Sequence, residues 1–440
     1  MPAEAQQAGR RRRVAIVGGG FGGLAAAHSL RHAEVEVTLV DRMHHHLFQP
    51  LLYQVACGGL SPGECAMPIR NALKRNPNTT VLMAEATGLD AERRQLLLDR
   101  GERLDYDSLI VASGAQTSYF GNDRWQEVSY GLKTLTDAVE LRNRIYGVFE
   151  EAERSQDAAE QEQWMTFVVI GGGPTGVEIA GELAIVTKHG LKRDFARIHP
   201  GNARVILLDA GERVAAAFSP RLSGKVAQEL AGLGVSVREH TRVSAIDAQG
   251  VTIQIDGKQE RIAARTVIWA AGVQAAGFAA VLAEATGAST DRAGRVQVQA
   301  DLTLPGHPEI SVIGDTALLQ GSDEKPLPGL ATVAIQQARH VARAIDGGAA
   351  GASTPFRYFD KGALAVVGRG RAVCEIRGHE ISGRLAFFTY LTVHMYYLSG
   401  GGPGSRLKVL IDWISSRLGD PQYQVVEGDL ASIERSPRGA

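Results

Sequence analysis

Three scarcities narrow the class of this chain at once. Only three cysteines, Cys57, Cys65 and Cys374, occur in 440 residues, too few for a secreted disulfide scaffold and in keeping with a reducing compartment. Charge of one sign is missing too: 47 basic and 48 acidic side chains leave a formal net charge of −1, so no basic field invites nucleic acid. Long hydrophobic runs are lacking as well, since none reaches the roughly 18 apolar residues that a membrane-crossing helix needs. The basic start at residues 10–13 imitates an export signal, but the apolar stretch behind it holds Gly18, Gly20 and Gly23, so export is not expected. Glycine is plentiful instead, 51 against 16 prolines, which fits many tight strand–helix turns rather than disorder. A 44% apolar chain of this length can build two or three domains with real cores.

The glycines are organised. VAIVGGGFGG begins at Val14 and FVVIGGGPTG begins at Phe167, and both run directly into a helical pattern. Each is a G-x-G-x-x-G fingerprint between a buried strand and a helix. Gly18 and Gly171 make the tight turn, Gly20 and Gly173 let backbone approach a pyrophosphate, and Gly23 and Gly176 let helix pack on strand. The pyrophosphate then rests on the unpaired N–H groups of the helix start. Two such sites imply two dinucleotides, a flavin and a nicotinamide, and therefore a hydride relay. Asp41 closes the strand after the first fingerprint at about the spacing where an acid meets ribose hydroxyls, and Asp209 is its counterpart after the second. An acid at Asp209 repels a 2′-phosphate, so NADH is expected over NADPH.

FAD is expected at the first fingerprint, because two further segments look built to complete that site. One is the apolar strand that breaks into small residues at Ser113 and Gly114. The other is the strand that ends in Gly314-Asp315 ahead of a helix, where Asp315 can accept a hydrogen bond from the ribityl chain. Gly272 ends the equivalent strand of the NADH half. The expected fold is α/β, with two Rossmann-like dinucleotide-binding domains, the second inserted in the first. The FAD domain takes residues 12–130 and 295–346, the NADH domain 164–290, and a C-terminal membrane-associating or dimerising region 355–420. Residues 1–11 and 421–440 are expected as mobile tails.

The order of these segments resembles the two-dinucleotide-binding-domain flavoproteins related to glutathione reductase. Within them the chain looks like a type II NADH:quinone oxidoreductase, a single-subunit, non-pumping NADH dehydrogenase. Residues 41–55, 171–182, 327–339 and 356–369 carry the resemblance, which spans roughly residues 12–420. It implies two-electron reduction of a quinone, ubiquinone or menaquinone, by FAD that NADH has reduced. It places Glu178 beside the nicotinamide carboxamide and Gln49 and Pro50 near the flavin. It also brings Gln336 and Lys361 to the quinone pocket. The family pattern has two glutamines four residues apart on the quinone-site helix; Gln336 matches the second, and Thr332 stands where the first belongs. Gln337 could substitute only if the helix turned by about 100°.

Two rivals remain open. Sulfide:quinone oxidoreductases also use three cysteines, their reactive pair meeting over the flavin, and a membrane-bound flavoprotein could sense NADH with little turnover. The disulfide reductases are excluded, because Cys57 and Cys65 are eight apart and form neither C-x-x-C nor C-x-x-x-x-C. No metal is expected: His44, His45 and His46 are consecutive, and neighbours on an extended chain point to opposite faces. In the tail, residues 385–398 are apolar and aromatic, and 405–418 carry Leu407, Leu410, Ile411, Ile414 and Leu418 at helical spacing with Trp413. Such a helix suits a membrane surface, with basic residues against anionic lipid, or a homodimer contact. A peripheral place on the cytoplasmic side of the cell membrane follows as the expectation.

Overall fold

The computed structural model describes residues 10–191, 194–321, 324–348, 354–368 and 370–397. The expected surface helix over 405–418, the tail 421–440 and residues 1–9 lie outside the described residues. The chain divides into two compact units, residues 1–46, 67–116 and 273–360 in the first and 47–66, 117–272 and 361–440 in the second.

The first unit is built on a six-stranded sheet in the order Thr303–Leu304, His307–Val312, Ser108–Val111, Arg12–Val17, Val35–Asp41, Thr79–Met83. All neighbours are parallel except the outermost pair, Thr303–Leu304 with His307–Val312. Val17 pairs with Val40 on one side and Val111 on the other, so three strands end together at the fingerprint turn. A parallel sheet is covered on both faces, which is why Ser108–Val111 is buried at every position. The helices Phe21–Ser29 and Ala331–Asp346 pack on each other. Their buried positions are mainly glycine and alanine (Gly22, Gly23, Ala26 and Ala27 on one, Ala334, Ala338 and Ala342 on the other), which lets the backbones approach closely.

The second unit repeats the plan with four parallel strands, in the order Val235–Arg238, Arg204–Leu208, Thr166–Ile170, Thr266–Trp269. An antiparallel three-stranded sheet, Arg242–Asp247, Gly250–Ile255 and Lys258–Ala263, accompanies it. The helix Leu135–Arg154 starts in a capping box of Thr134 and Asp137, and Leu52–Ala56 packs on both it and Pro174–Ile185. Three antiparallel strands, Ala363–Val366, Ala372–Ile376 and His379–Gly383, carry the helix Arg384–Tyr397 across them. This C-terminal layer is tied to the start of Pro220–Leu233. The Ser219 N–H donates to Glu375 Oε2 (3.1 Å), Lys225 Nζ donates to Ser382 Oγ (2.6 Å), and Arg221 pairs with Glu380. Each such surface link is worth about 0–1 kcal/mol. Gly181 and Gly368 let the same layer lie directly on Pro174–Ile185: a Cβ on Gly181 would stand 3.2 Å from the Gly368 nitrogen.

The partition differs from the expected domains in several places, and residues 355–360, expected in the C-terminal region, go with the first unit. Residues 273–290 go with the first unit, because Phe278–Thr286 packs on Ala86–Asp90 there. Residues 47–66 and 117–130 go with the second, the former because Leu52–Ala56 is held between its helices. Among the described residues no helix is long and apolar enough to cross a membrane.

Candidate active site

In the first unit, Gly18 turns the chain at φ +103°, a left-handed conformation that disfavours any side chain. A Cβ on Gly23 would meet the Gly18 carbonyl at 1.8 Å, so the helix closes on the turn only as glycine. Gly20 has nothing within 4 Å of where its Cβ would be, and the helix start behind it carries no side-chain cap. An open concavity at an uncapped helix start fits a pyrophosphate. Asp41 accepts the Gly19 N–H at its Oδ2 (2.5 Å) and the Met43 N–H at its Oδ1 (2.6 Å). Two oxygens with about four lone-pair sites leave it acceptor capacity for a ribose. The Gly19 carbonyl is held by His46, whose Nδ1 donates across 3.0 Å. Burial lowers the pKa of His46, which keeps the ring neutral, against smaller opposing effects of that hydrogen bond and Asp41. His46 thus braces the loop.

The other two segments of this unit meet through Thr316, a residue the sequence did not single out. Its fully buried hydroxyl takes the Gly114 N–H (2.9 Å) and lies 3.1 Å from Ser113 Oγ. Gly314 is fixed from the other side: its N–H donates to Gln337 Oε1 (2.7 Å). A cleft of about 110 Å³ opens here, lined among others by Gly314, Asp315, Leu327, Gly329, Val333 and Gln337. Gln337 therefore points inward and supports the loop. Gln336, one step of the helix round, has both ends of its amide bonded to the Phe359 main chain, Nε2 to the carbonyl (2.9 Å) and Oε1 from the N–H (3.0 Å). Thr332 Oγ1 sits 3.1 Å from the Tyr358 hydroxyl, on that same helix face.

The second unit repeats the loop closely. Gly171 turns at φ +108°, a Cβ on Gly176 would meet the Gly171 carbonyl at 1.8 Å, and Gly173 is open. Pro174 begins the helix, a position where its missing N–H costs nothing. Asp209 accepts the Gly172 N–H (2.5 Å) and the Gly211 N–H (2.7 Å), as Asp41 does in the first. Here the carbonyl of the middle residue takes a backbone donor, the Ala215 N–H at 2.6 Å. Gly272 accepts the Ser118 N–H (3.0 Å). Gln49 exchanges hydrogen bonds with Lys133, its Oε1 taking Lys133 Nζ at 3.2 Å, and Pro50 follows in the turn Gln49–Leu51. Lys361 is exposed at the start of the C-terminal layer.

Glu178 is the chemically unusual group. It lies on the second turn of Pro174–Ile185, with the Val366 N–H at 3.4 Å from its Oε1. Burial raises its pKa to about 8, and that one long hydrogen bond offsets little. That shift favours the protonated carboxyl at neutral pH. The cysteines stand apart from such chemistry. All three are buried free thiols; burial pushes Cys57 well up, Cys65 to about 12, and Cys374 upward as well. A thiol so held is a poor nucleophile, since the thiolate is the reactive form. No cluster of metal-ligating side chains occurs among the described residues.

Residues 12–338 match the pyridine nucleotide-disulphide oxidoreductase family. The chain is 42% identical to the type II NADH:quinone oxidoreductase Ndh of Mycobacterium tuberculosis, over 97% of this chain and 92% of that one. It is 28% identical to a type II NADH:quinone oxidoreductase of Staphylococcus aureus, covering 86% and 93%. Among solved structures, NDH2 from Plasmodium falciparum in complex with NADH superposes with a TM-score of 0.83 at 20% identity, covering 94% of this chain and all of that one. A sulfide:quinone oxidoreductase from Aquifex aeolicus gives 0.71 at 18% identity, covering 89% and 91%.

Proposed function

The chain belongs to the type II NADH:quinone oxidoreductases of the pyridine nucleotide-disulphide oxidoreductase family, and from that premise we propose how its residues divide the work. The protein oxidises NADH and reduces a quinone, using FAD. FAD supplies a two-electron store between the two substrates. The observation that carries the assignment of sites is the duplicated loop, in each unit an acid-braced turn, an open middle glycine and an uncapped helix start.

In this reading the loop at Gly18, Gly20 and Gly23, with Asp41, Ser113, Gly114, Gly314 and Asp315, holds FAD, with Gln49 and Pro50 as further contacts. The loop at Gly171, Gly173 and Gly176, with Asp209 and Gly272, holds NADH. Asp209 selects NADH, since a 2′-phosphate would face a carboxylate already fixed by Gly172 and Gly211. Overall, NADH, a quinone and one solvent proton become NAD⁺ and a quinol, so the protein must deliver a proton. Glu178 supplies it. Its carboxyl keeps a proton up to about pH 8, in range to act as a general acid. Gln336 and Lys361 line the quinone's approach. Because Gln336 is bonded at both ends to Phe359, it acts there by fixing the segment around Tyr358, where Thr332 stands in place of the family's first glutamine.

The quinone is a ubiquinone or menaquinone dissolved in a bilayer, and the protein sits on the cytoplasmic face of the cell membrane, as a monomer or homodimer. Leu385 and Phe388, 65% and 64% exposed on the helix Arg384–Tyr397, give that surface its first apolar contact. The test is an anaerobic titration with NADH that follows flavin absorbance, then addition of a short-chain quinone. Bleaching followed by return of colour is expected. A flavin that stays oxidised with NADH overturns the assignment of the second loop. The sulfide alternative has no support from the buried, poorly ionised thiols.

A further inference from the structure

Glu178 does not sit alone in the second unit. Tyr53, from the helix Leu52–Ala56, and Tyr390, from the helix Arg384–Tyr397, bring their hydroxyls within 3.5 Å of one another, and Gln54 Nε2 donates to Tyr53 Oη at 3.0 Å. The two phenols are 3% and 1% exposed. Glu182 lies one turn beyond Glu178 on the same helix face. Both carboxyls act electrostatically on both tyrosines, so the four groups share one neighbourhood. The remaining titratable or charged groups that face it are Cys57, past the end of Leu52–Ala56, and Tyr146 and Arg142 on Leu135–Arg154. Tyr146 donates to the Cys57 carbonyl at 2.8 Å, and Arg142 bears on Tyr146. From the strand Ala363–Val366 comes only the Val366 N–H. The surroundings of Glu178 thus include phenols, a thiol and a second carboxyl, with the Arg142 guanidinium farther out beside Tyr146.

The helix Arg384–Tyr397 has two faces. Ala386, Phe387 and Tyr390 are buried, whereas Leu385 and Phe388 stand out. Its inner face closes the cluster with a group that comes from more than 200 positions away in sequence. We propose that Tyr390 is a positioning residue for the reaction: seated on Tyr53 beside Glu178, it limits the water that reaches this half-buried carboxyl, so that catalysis depends on how the C-terminal helix is docked. The proposal rests on the reading of Glu178 as the proton donor. It adds that this donor is assembled by the C-terminal layer and does not belong to the nucleotide-binding helix alone.

The sign of the effect follows from that shielding. Removing Tyr390 lets water solvate the carboxylate form of Glu178, so its proton is lost at lower pH. The experiment compares wild type, Y390A, Y390F and E178Q in the flavin-loaded protein with two readouts. One is the infrared band of a protonated carboxyl that E178Q lacks, followed across pH. The other is the pH profile of flavin reoxidation by a short-chain quinone. Wild type should lose both the band and the rate as pH rises through about 8. In Y390A both should move down together by at least a unit, and in Y390F by less in the same direction. If the Y390A band and rate profile stay at the wild-type pH, with flavin content and circular dichroism preserved, the proposal is wrong. Should Y390A not fold, an unshifted Y390F overturns it equally. A wild-type profile that persists in E178Q would sink the proton-donor reading itself, a different failure from an unmoved Tyr390 variant.

Discussion

The two fingerprint loops are near copies in backbone and differ in what holds them. Both turn at a glycine with φ near +105°, both leave the middle glycine open, and both fix the following N–H with the acid at the next strand's end. At the carbonyl of the same residue they part. The first loop hands its Gly19 carbonyl to a buried imidazole, His46, and the second hands its Gly172 carbonyl to the Ala215 N–H. The first brace can titrate and the second cannot. The second unit instead carries a titratable group with a raised pKa, Glu178, on the helix behind the loop. In the reading proposed above, the same scaffold serves a bound carrier in one unit and an exchanging substrate plus a proton in the other.

The largest effects should come from closing the turns. Gly23→Ala and Gly176→Ala each drive a methyl to 1.8 Å from a carbonyl, and overpacking of this kind costs about 1–3 kcal/mol or more. G23A should purify nearly colourless, while G176A should keep its flavin and fail to bleach with NADH; the absorbance ratio of flavin to protein checks both. If either variant lost both cofactors, the loops would not be independent. Next is Glu178→Gln, expected to slow flavin reoxidation by quinone about 100-fold at pH 7, the lower range for general acid catalysis. Stopped-flow reoxidation rates test this, and flavin reduction by NADH is the internal comparison.

Asp209→Ala should weaken NADH binding by about 2 kcal/mol, near thirtyfold, and narrow the preference over NADPH. Asp41→Ala should instead loosen FAD; equilibrium dialysis of each variant with each cofactor separates the two. The smallest effect belongs to His46. Its folded pKa lies below the ordinary value of 6.5, so the unfolded chain takes up a proton first as pH falls. Stability of the first unit should therefore decline below pH 6.5, by at most about 1.4 kcal/mol per pH unit. His46→Gln should flatten that slope in a flavin-release melt, and nothing comparable should appear for Ala215.

What the sequence made legible was local. A glycine triplet, the strand before it, the helix after it and the acid at the next strand's end all lie within a few dozen residues, and their spacing reflects fixed backbone geometry. That is why Gly18 to Gly23, Gly171 to Gly176, Asp41 and Asp209 stand where the pattern put them. The braces were not legible. Thr316 serves Ser113 and Gly114 from some 200 positions away, and Tyr390 reaches Tyr53 over a longer gap still. A buried threonine or tyrosine carries no periodic or spacing signal that announces such a partner. The run of three histidines drew attention as a metal motif to be set aside, and the use of His46 as a loop brace needed the fold to be seen. The compact units divide differently near residues 273–290 for a related reason: an amphipathic helix does not state in sequence which of two sheets it covers.

The contact of Gly181 with Gly368 has an evolutionary consequence. A methyl on Gly181 would press at 3.2 Å on the Gly368 nitrogen, and one on Gly368 would strike Leu233 at 2.7 Å and Ile185 at 3.0 Å. At Gly181 the backbone of the C-terminal layer would have to give by a few tenths of an ångström, whereas at Gly368 only the flexible ends of Leu233 and Ile185 meet the methyl and the left-handed φ of +77° is what resists a side chain. Recombination between relatives with a crossover between residues 181 and 368 would separate the pair, and chimaeras that bring a larger residue to either side of the seam should melt at a lower temperature than those that keep both glycines.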